Sequence, residues 1–310
     1  MVQLLILFSI YTGVFLLGMF MMKSGLYALS GHRLKQWLLR FTNTPLQGFF
    51  TGTVVTALLQ SSSAVMVITV GLVSTGYLTF RQSIGVVLGS NIGSTITTEM
   101  MTLDVGDSVI PMLFIGAALV FFGYYRLAYG IGMIVVGLAS LFFAMGGFGQ
   151  LAKPLSTFPI VDEWLQKTNL SPFSGILIGV ILTAIIHSSA ATIGIAMGFL
   201  NEHILTLPAG IAILLGANIG TCITGLLASI GSTYEARLTA YTHLWFNIIG
   251  VIIFYFFIDP LAFIASKLSN SPDVQLAHVS VLFNVICSLA ALPFVRWIEA
   301  AILFFHGKRS

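Results

Sequence analysis

Two short polar segments stand out in a chain that is otherwise strongly apolar. Residues 56–64 read Thr-Ala-Leu-Leu-Gln-Ser-Ser-Ser-Ala, and residues 183–191 read Thr-Ala-Ile-Ile-His-Ser-Ser-Ala-Ala. Hydroxyl and amide groups placed where a helix begins can act together with unpaired backbone N–H groups to bind an anion. We call residues 56–64 the first polar cluster and residues 183–191 the second polar cluster.

The composition around these clusters is that of a membrane protein. Of the 310 residues, 57% are hydrophobic and 7% are charged, with a mean hydropathy of +1.01; soluble chains average about 25% charged residues. The apolar runs are long and continuous, which predicts transmembrane helices and not a β-barrel. Residues 2–22 lack a basic flank and a cleavage site, so we expect a retained helix. Cys222 and Cys287 lie in apolar segments, which argues against a disulfide framework.

The two polar clusters belong to an internal repeat. A shift of 127 residues aligns residues 45–97 with residues 172–224 without gaps, and 20 of the 53 aligned positions are identical. The identities include Pro45 with Pro172, Ser61 with Ser188 and Asn91 with Asn218. A shared apolar composition would not place proline, serine and asparagine in register, so we infer that the two halves are copies of one unit.

Each repeat is predicted to contain a helical hairpin and an interrupted helix. Residues 45–59 and 61–74 are each too short to span comfortably, as are 172–187 and 188–201, so each pair is expected to form a re-entrant hairpin with a polar cluster at its tip. Two longer segments carry polar residues near their middle, which predicts interrupted transmembrane helices at 80–101 and 207–230. Uninterrupted spans are expected at 2–23, 108–124, 126–147, 236–258 and 276–304, and interfacial segments at 32–43 and 153–170.

This arrangement predicts an all-α polytopic membrane protein made of two inverted repeats. Each repeat crosses the membrane three times, so the second must enter from the opposite side, as in many secondary transporters. We expect the first inverted repeat at 1–125, the second at 126–260 and a C-terminal transmembrane helix at 261–310.

The distribution of cations orients this fold in the plasma membrane. With the N-terminus outside and the C-terminus in the cytoplasm, only Lys153, Lys167 and Lys267 lie outside, which follows the positive-inside rule. The cations on the cytoplasmic side would be Lys23, Arg33, Lys35, Arg40, Arg81, Arg126, Arg237, Lys308 and Arg309.

The hairpin tips and the interrupted helices are expected to form a binding site. The second arm of each hairpin begins at the serines, so its positive end favours an anion. Carbonyl groups freed at helix breaks suit Na⁺, a hard cation that prefers oxygen ligands. A single Ser or Thr in a membrane helix often bonds only to its own preceding turn, but paired clusters at matching repeat positions favour a shared site. The expected anion ligands are Gln60, Ser61, Ser62, Ser63, Asn91, Thr95, His187, Ser188, Ser189, Asn218 and Thr221, and the expected sodium ligands are Ser62, Thr97, Ser189 and Thr224.

These motifs resemble those of the type II sodium–phosphate cotransporter family. The resemblance rests on Gln60-Ser61-Ser62-Ser63, its partial copy at 187–190, and the Gly-x-Asn-Ile-Gly segments at 89–93 and 216–220, and covers roughly residues 3–258. It implies symport of inorganic phosphate with Na⁺ as the coupling ion, by alternating access, with the substrate held mid-membrane between the two hairpins. The residues it implicates are Gln60, Ser61, Ser62, Ser63, Ser188 and Ser189, with Asn91 and Asn218 as companions.

The sequence departs from the family pattern at the second hairpin. His187 and Ala190 stand where the family commonly repeats the glutamine and the third serine. Some bacterial relatives also carry a soluble domain after the last helix, whereas this sequence stops at Ser310. Because the charge of a histidine can change near neutral pH, His187 keeps open an H⁺-coupled variant or a transporter of another small anion.

Other functions fit the sequence less well. A passive channel is possible, but hairpins that open to opposite sides suit alternating access better. An enzyme with a serine nucleophile is disfavoured because no intramembrane Asp or Glu would orient His187. His243 and Asn247 lie four residues apart on one helix face and are expected to brace the helix bundle. The expected partners are inorganic phosphate, sodium ion and the lipid bilayer, without nucleic acid; the oligomeric state stays open, a homodimer included.

Overall fold

The computed structural model describes residues 2–30 and 33–307, and these ranges form sixteen α-helices. Lys308 and Arg309, which entered the count of cytoplasmic cations, lie outside the described residues. In chain order the helices are α1 (Val2–Ser30), α2 (Arg33–Arg40), α3 (Pro45–Leu59), α4 (Ser62–Ser74), α5 (Phe80–Met100), α6 (Val109–Phe122), α7 (Arg126–Ser156), α8 (Pro159–Leu170), α9 (Pro172–Ile186), α10 (Ser189–Asn201), α11 (Leu207–Gly220), α12 (Cys222–Ser229), α13 (Tyr234–Tyr255), α14 (Ile258–Leu268), α15 (Pro272–Ala291) and α16 (Val295–His306).

Five helical segments of the described chain are long and apolar enough to cross a membrane. They are Val2–Ser30, Arg126–Ser156, Leu207–Ser229, Tyr234–Tyr255 and Pro272–His306. α5 has a comparable length but is more polar, and α6 has only 14 residues. The expected all-α polytopic membrane fold is therefore confirmed.

The helices gather into two compact units, and each unit draws on both halves of the sequence. In the described chain, unit 1 contains residues 2–30, 98–217 and 257–279, and unit 2 contains residues 33–97, 218–256 and 280–307. The second hairpin, α9 and α10, therefore belongs to unit 1, and the first hairpin, α3 and α4, belongs to unit 2.

Unit 1 is built around the long helix α7, which packs against α1, α6 and α10. Small residues allow this close packing: a methyl group at Gly18 of α1 would lie 2.7 Å from the carbonyl oxygen of Gly137 on α7. A methyl group at Gly198 of α10 would lie 2.8 Å from Cβ of Phe148, also on α7. Packing through glycine is a common way to hold helices together in lipid, where the hydrophobic effect between helices is absent.

In unit 2, the predicted interruption of residues 80–101 is wrong, because α5 is continuous from Phe80 to Met100. Its small polar residues are satisfied within the helix: the hydroxyls of Ser90, Ser94 and Thr95 donate to carbonyl oxygens three residues earlier, at 2.7–2.9 Å. The helix therefore leaves no free carbonyl groups at residues 89–95, and the expected cation ligands from that break are absent.

The glycines of α5 serve packing and not interruption. Gly85, Gly89 and Gly93 recur every four residues, so they lie on one face of the helix. A methyl group at each would overlap a carbonyl oxygen of α3, that of Pro45, Phe49 and Thr53 respectively. The stripe thus allows α5 to lie directly against the first arm of the hairpin.

The second predicted interruption is present but slight. α11 and α12 are separated by a single residue, Thr221, whose dihedral angles (φ −65°, ψ −21°) are still those of a helix. Gly216 of α11 packs against the carbonyl oxygen of Ile176 on α9, as Gly89 does against Phe49. The same glycine contact therefore occurs in both repeats, between α5 and α3 in the first and between α11 and α9 in the second.

Candidate functional site

The two hairpins break at equivalent residues with the same backbone geometry. Gln60 ends α3 with φ 51° and ψ 35°, and His187 ends α9 with φ 55° and ψ 28°. Each is followed by an extended serine, Ser61 (φ −159°, ψ 97°) or Ser188 (φ −147°, ψ 105°), after which the second arm begins. A residue other than glycine with positive φ is uncommon. The shared pattern shows that the repeat extends to the backbone angles of the two tips.

Each serine at the break caps the helix that follows. The Oγ of Ser61 accepts a hydrogen bond from the backbone N–H of Ala64 at 3.3 Å, and Ser188 does the same for Ala191 at 3.2 Å. The first four N–H groups of a helix have no hydrogen-bond partner inside it, and a capping side chain accepts a bond from only one of them. The beginnings of α4 and α10 can therefore accept an anion.

The first hairpin tip is tied into unit 2 by two threonines. The Oγ1 of Thr97 on α5 donates to Oε1 of Gln60 at 2.7 Å, and the Oγ1 of Thr224 on α12 donates to the Oγ of Ser63 at 3.1 Å. Gln60 is only 5% exposed, and its Nε2 donates to the carbonyl oxygen of Ala57. Thr97 and Thr224 occupy the same position in the two repeats, so both copies of the repeat contribute an oxygen to this tip.

The second hairpin tip, in unit 1, is more open. His187 is exposed, and Ser188 and Ser189 are half-buried. Ala190 occupies the position of Ser63, so the hydroxyl that Thr224 meets has no counterpart in this tip. The two tips thus share a backbone but differ in the side chains that they offer to a ligand.

The arms of the two hairpins are joined differently. In the second hairpin, the buried hydroxyl of Thr183 on α9 donates to Thr192 on α10 at 2.9 Å. In the first hairpin, Val65 takes the place of Thr192, and the hydroxyl of Thr56, which matches Thr183, has no hydrogen-bond partner among the described residues. A hydrogen bond between the hydroxyls of these two positions is therefore present in the second hairpin and not in the first.

The other predicted anion ligands do not all point to the hairpin tips. Asn91 is buried, and its Oδ1 lies 3.2 Å from Nε2 of His243 on α13. The hydroxyl of Thr95 bonds within α5. Asn218 lies near the end of α11, and Thr221 lies at the junction between α11 and α12. Of the predicted set, unit 2 brings together Gln60 and Ser63 with Thr97 and Thr224.

Some contacts of this region were not predicted from the sequence. Nδ2 of Asn247 donates to the free thiol of Cys222 on α12 at 3.4 Å, a partner that the sequence did not indicate. That His243 and Asn247 brace the helix bundle stays a prediction. In unit 1, Oε1 of Glu99 lies within hydrogen-bond distance of Nδ1 of His278, at 2.9 Å. The packing role of Gly85, Gly89 and Gly93 was not predicted either, although their spacing of four residues was visible in the sequence.

Comparison with known protein sequences shows the family of the chain. The sequence profile described as Na+/Pi-cotransporter matches residues 14–150 and 157–270. The Bacillus subtilis (strain 168) protein YqeW is 43% identical over 291 residues, which are 94% of each chain. The Escherichia coli (strain K12) protein YjbB, named for inorganic phosphate export, is 26% identical over 279 residues, 90% of this chain and 51% of that one.

A more distant relative is the human sodium-dependent phosphate transport protein 2B, which is 29% identical over 137 residues, 40% of this chain and 19% of that protein. No solved structure matches the chain. The chain spans about half the length of YjbB, whereas it aligns with nearly all of YqeW. Because the profile covers both repeats and both polar clusters, the chain belongs to the Na+/Pi-cotransporter family.

Proposed function

We propose that the protein is a secondary active transporter that carries inorganic phosphate across the plasma membrane together with Na⁺, by alternating access. The family is one of transporters and not of enzymes. The observation that carries the proposal is the pair of hairpin breaks, in which a residue with positive φ and a capping serine recur in both repeats. In this proposal the hairpins are re-entrant, the repeats are inverted, and the N-terminus lies outside.

Each hairpin would offer phosphate ligands at the beginning of its second arm, which is α4 in unit 2 and α10 in unit 1. Free N–H groups and the positive helix end attract the anion, and Ser61, Ser62, Ser188 and Ser189 add hydroxyl donors. His187, which is exposed at its tip, can add a ring N–H. Asn91, Thr95, Asn218 and Thr221 would support the site by holding α5, α11 and α12 in place.

The sodium ligands would come mainly from the oxygen atoms at the first tip. Gln60, Ser63, Thr97 and Thr224 already lie within hydrogen-bond distance in pairs, and carbonyl groups at the end of α3 are close to Gln60. Oxygen ligands of this kind suit a hard cation. Since α5 is continuous, the carbonyl ligands would come from the end of α3 and, in the second copy, of α9. Ser62 and Ser189 would link the sodium and phosphate ligands.

Uptake of labelled phosphate into proteoliposomes tests this proposal. A Na⁺ gradient is expected to drive accumulation, and Ser62→Ala or Ser189→Ala is expected to reduce it about tenfold or more, because hydrogen bonds to charged groups contribute about 1.5–3 kcal/mol. Ser266→Ala is the control, since that exposed hydroxyl bonds only to the carbonyl oxygen of Phe263. Uptake that is indifferent to Na⁺ and to both substitutions would contradict the proposal.

A second candidate is supported by the second hairpin tip. There an exposed histidine replaces the buried Gln60, which favours H⁺ coupling or another small anion. Competition by sulfate, arsenate and carboxylates, together with the pH and Na⁺ dependence of His187→Gln, separates the two candidates. If His187→Gln leaves both dependences unchanged, the idea of coupling through this histidine fails.

The direction of transport is a separate question, raised by the name of YjbB. A symporter follows the combined gradients of its substrates, so the same protein can fill or empty a vesicle. Proteoliposomes loaded with phosphate and placed in an outward or an inward Na⁺ gradient would show whether efflux is also coupled. We expect efflux to be faster when the Na⁺ gradient is directed outward than when it is directed inward.

A further inference from the structure

A buried polar group inside unit 2 contains three atoms that lack hydrogen-bond partners. It consists of Asn91 on α5 and of His243 and Asn247 on α13, which are at most 3% exposed. Among the described residues, Nδ2 of Asn91, Nδ1 of His243 and Oδ1 of Asn247 have no partner. Leaving a buried polar atom without a partner is destabilising, so three such atoms in one group call for a ligand.

The remaining bonds of this group determine what the ligand must offer. Nε2 of His243 lies 3.2 Å from Oδ1 of Asn91, and Nδ2 of Asn247 donates to the carbonyl oxygen of His243 and to the sulfur of Cys222. With a neutral His243 whose Nε2–H donates, the free atoms are one donor, on Asn91, and two acceptors, on His243 and Asn247. If the carboxamide of Asn91 is turned around, its Nδ2 donates to Nε2 of His243, and the proton of His243 is then on Nδ1. The free donor is now on His243 and the two free acceptors are the oxygens of Asn91 and Asn247, so the set again has one donor and two acceptors.

Gly225 of α12 leaves space beside the histidine. A methyl group at this residue would lie 3.8 Å from Nδ1 of His243 and 3.8 Å from Cε of Met66 on α4, which are ordinary contact distances. Cys222, the partner of Asn247, is three residues away on the same face of α12. The free atom of His243 therefore lies beside an open position at a glycine. Asn91 and Asn247 are each hydrogen-bonded to the same histidine, through its Nε2 and its carbonyl oxygen.

We propose that this group binds one ordered water molecule that joins α5, α12 and α13. Water donates two hydrogen bonds and accepts at least one, so it satisfies one donor and two acceptors in either orientation of Asn91. Buried waters typically make about three such bonds. A sodium ion does not fit, because the free set always includes an N–H donor, which repels a cation. This site is separate from the proposed phosphate and sodium sites and does not depend on the transport function.

The substitution Gly225→Ala tests the proposal through the sign of its effect on thermal stability. Alanine is favoured over glycine inside a helix, and the new methyl group meets no overlap, so an empty space predicts an equal or higher melting temperature. If water occupies the space, the methyl group displaces it and leaves polar atoms unsatisfied. We therefore expect Gly225→Ala to lower the melting temperature, whereas Gly71→Ala in α4, with nothing within 4 Å, leaves it equal or raises it.

A density map at a resolution that shows ordered waters provides the second measurement. We expect one peak at about 2.7–3.2 Å from the three free atoms, and its loss in Gly225→Ala. A direct bond between Nδ2 of Asn91 and Oδ1 of Asn247, an empty position, or a cation surrounded only by oxygen atoms would overturn the proposal. A melting temperature of Gly225→Ala that is equal to or higher than that of the unsubstituted protein would overturn it as well.

Discussion

The hydroxyl of Thr224 lies 3.1 Å from the hydroxyl of Ser63, so a residue of the second repeat holds the tip of the first hairpin. Thr97, the counterpart of Thr224 in the first repeat, holds the other side of the same tip through Gln60. The break in the hairpin is thereby fixed on both sides by side chains that are far apart in the sequence.

The bond between Ser63 and Thr224 can be measured with a double-mutant cycle. Ser63→Ala and Thr224→Val are each expected to lower the free energy of unfolding by about 1 kcal/mol, the usual contribution of one hydrogen bond. The double variant should lose little more than Thr224→Val alone, because Thr224→Val already removes the bond to Ser63 together with the bond to the carbonyl oxygen of Thr221. Thr75→Val, which alters an exposed hydroxyl that bonds to its own helix, should change stability by less than about 0.5 kcal/mol. Fully additive losses would show that the two side chains act independently.

The glycine stripe of α5 should not tolerate a methyl group. Gly89→Ala would place Cβ into the carbonyl oxygen of Phe49, which cannot move without shifting α3. We expect a loss of about 3 kcal/mol in unfolding free energy, at the upper end for overpacked sites. Gly13→Ala in α1, where nothing lies within 4 Å, is the matched control and should be neutral or stabilising. Equal stability of the two variants in a thermal or denaturant melt would contradict the packing role.

The positive φ angles of Gln60 and His187 predict that glycine variants at these positions are more stable than valine variants. A β-branched residue is strained in this conformation by about 1–3 kcal/mol, whereas glycine adopts it freely. Gln60→Val and His187→Val should therefore melt at lower temperatures than Gln60→Gly and His187→Gly. Gln60→Gly keeps the break but loses the contact with Thr97, so it should stay folded and show a weaker dependence of uptake on Na⁺. Valine variants as stable as the glycine variants would show that the backbone at the tips is relaxed.

Substitution by valine should change stability differently at Thr56 and Thr183, which occupy matching positions in the two hairpins. Thr183→Val removes the bond to Thr192 inside the second hairpin and should cost about 1 kcal/mol of stability. Thr56→Val removes a buried hydroxyl without a partner among the described residues, so it should be neutral or stabilising. Thermal melts of the two variants provide the comparison. A larger loss for Thr56→Val would mean that its hydroxyl has a ligand of its own.

The hairpins could be predicted from the sequence because their signals are local. The length of each apolar run sets the length of the arms, and a serine at the start of a helix is a known cap. The positive φ at Gln60 and His187 was not visible, since neither residue type demands it. The alignment of the repeats did place these two residues at equivalent positions.

The continuity of α5 could not be predicted from residue types alone. Serine, asparagine and glycine weaken isolated helices, so residues 89–95 resembled a break. In the folded protein the hydroxyls bond to their own helix, and the glycines let α3 approach. The spacing of four between Gly85, Gly89 and Gly93 was the signal for packing.

The partner of Asn91 required the fold. His243 is separated from it by 152 residues, and no local pattern links two such positions. The shared helix face of His243 and Asn247 predicted that both point inward, but not which helices they meet. For this reason Asn91 was assigned to the anion site from its motif, whereas the structure directs its side chain to α13.

The division of the two units along the chain has a consequence for synthesis. The first hairpin emerges early from the ribosome, yet α12, whose Thr224 holds its tip, is made more than 150 residues later, and unit 2 is complete only with residues 280–307. Multidomain chains usually fold in order as they are made. This protein cannot finish either unit in that way, so a nascent chain must keep the tip of the first hairpin unassembled until α12 is made. Truncation before α12 should therefore expose that tip to quality control.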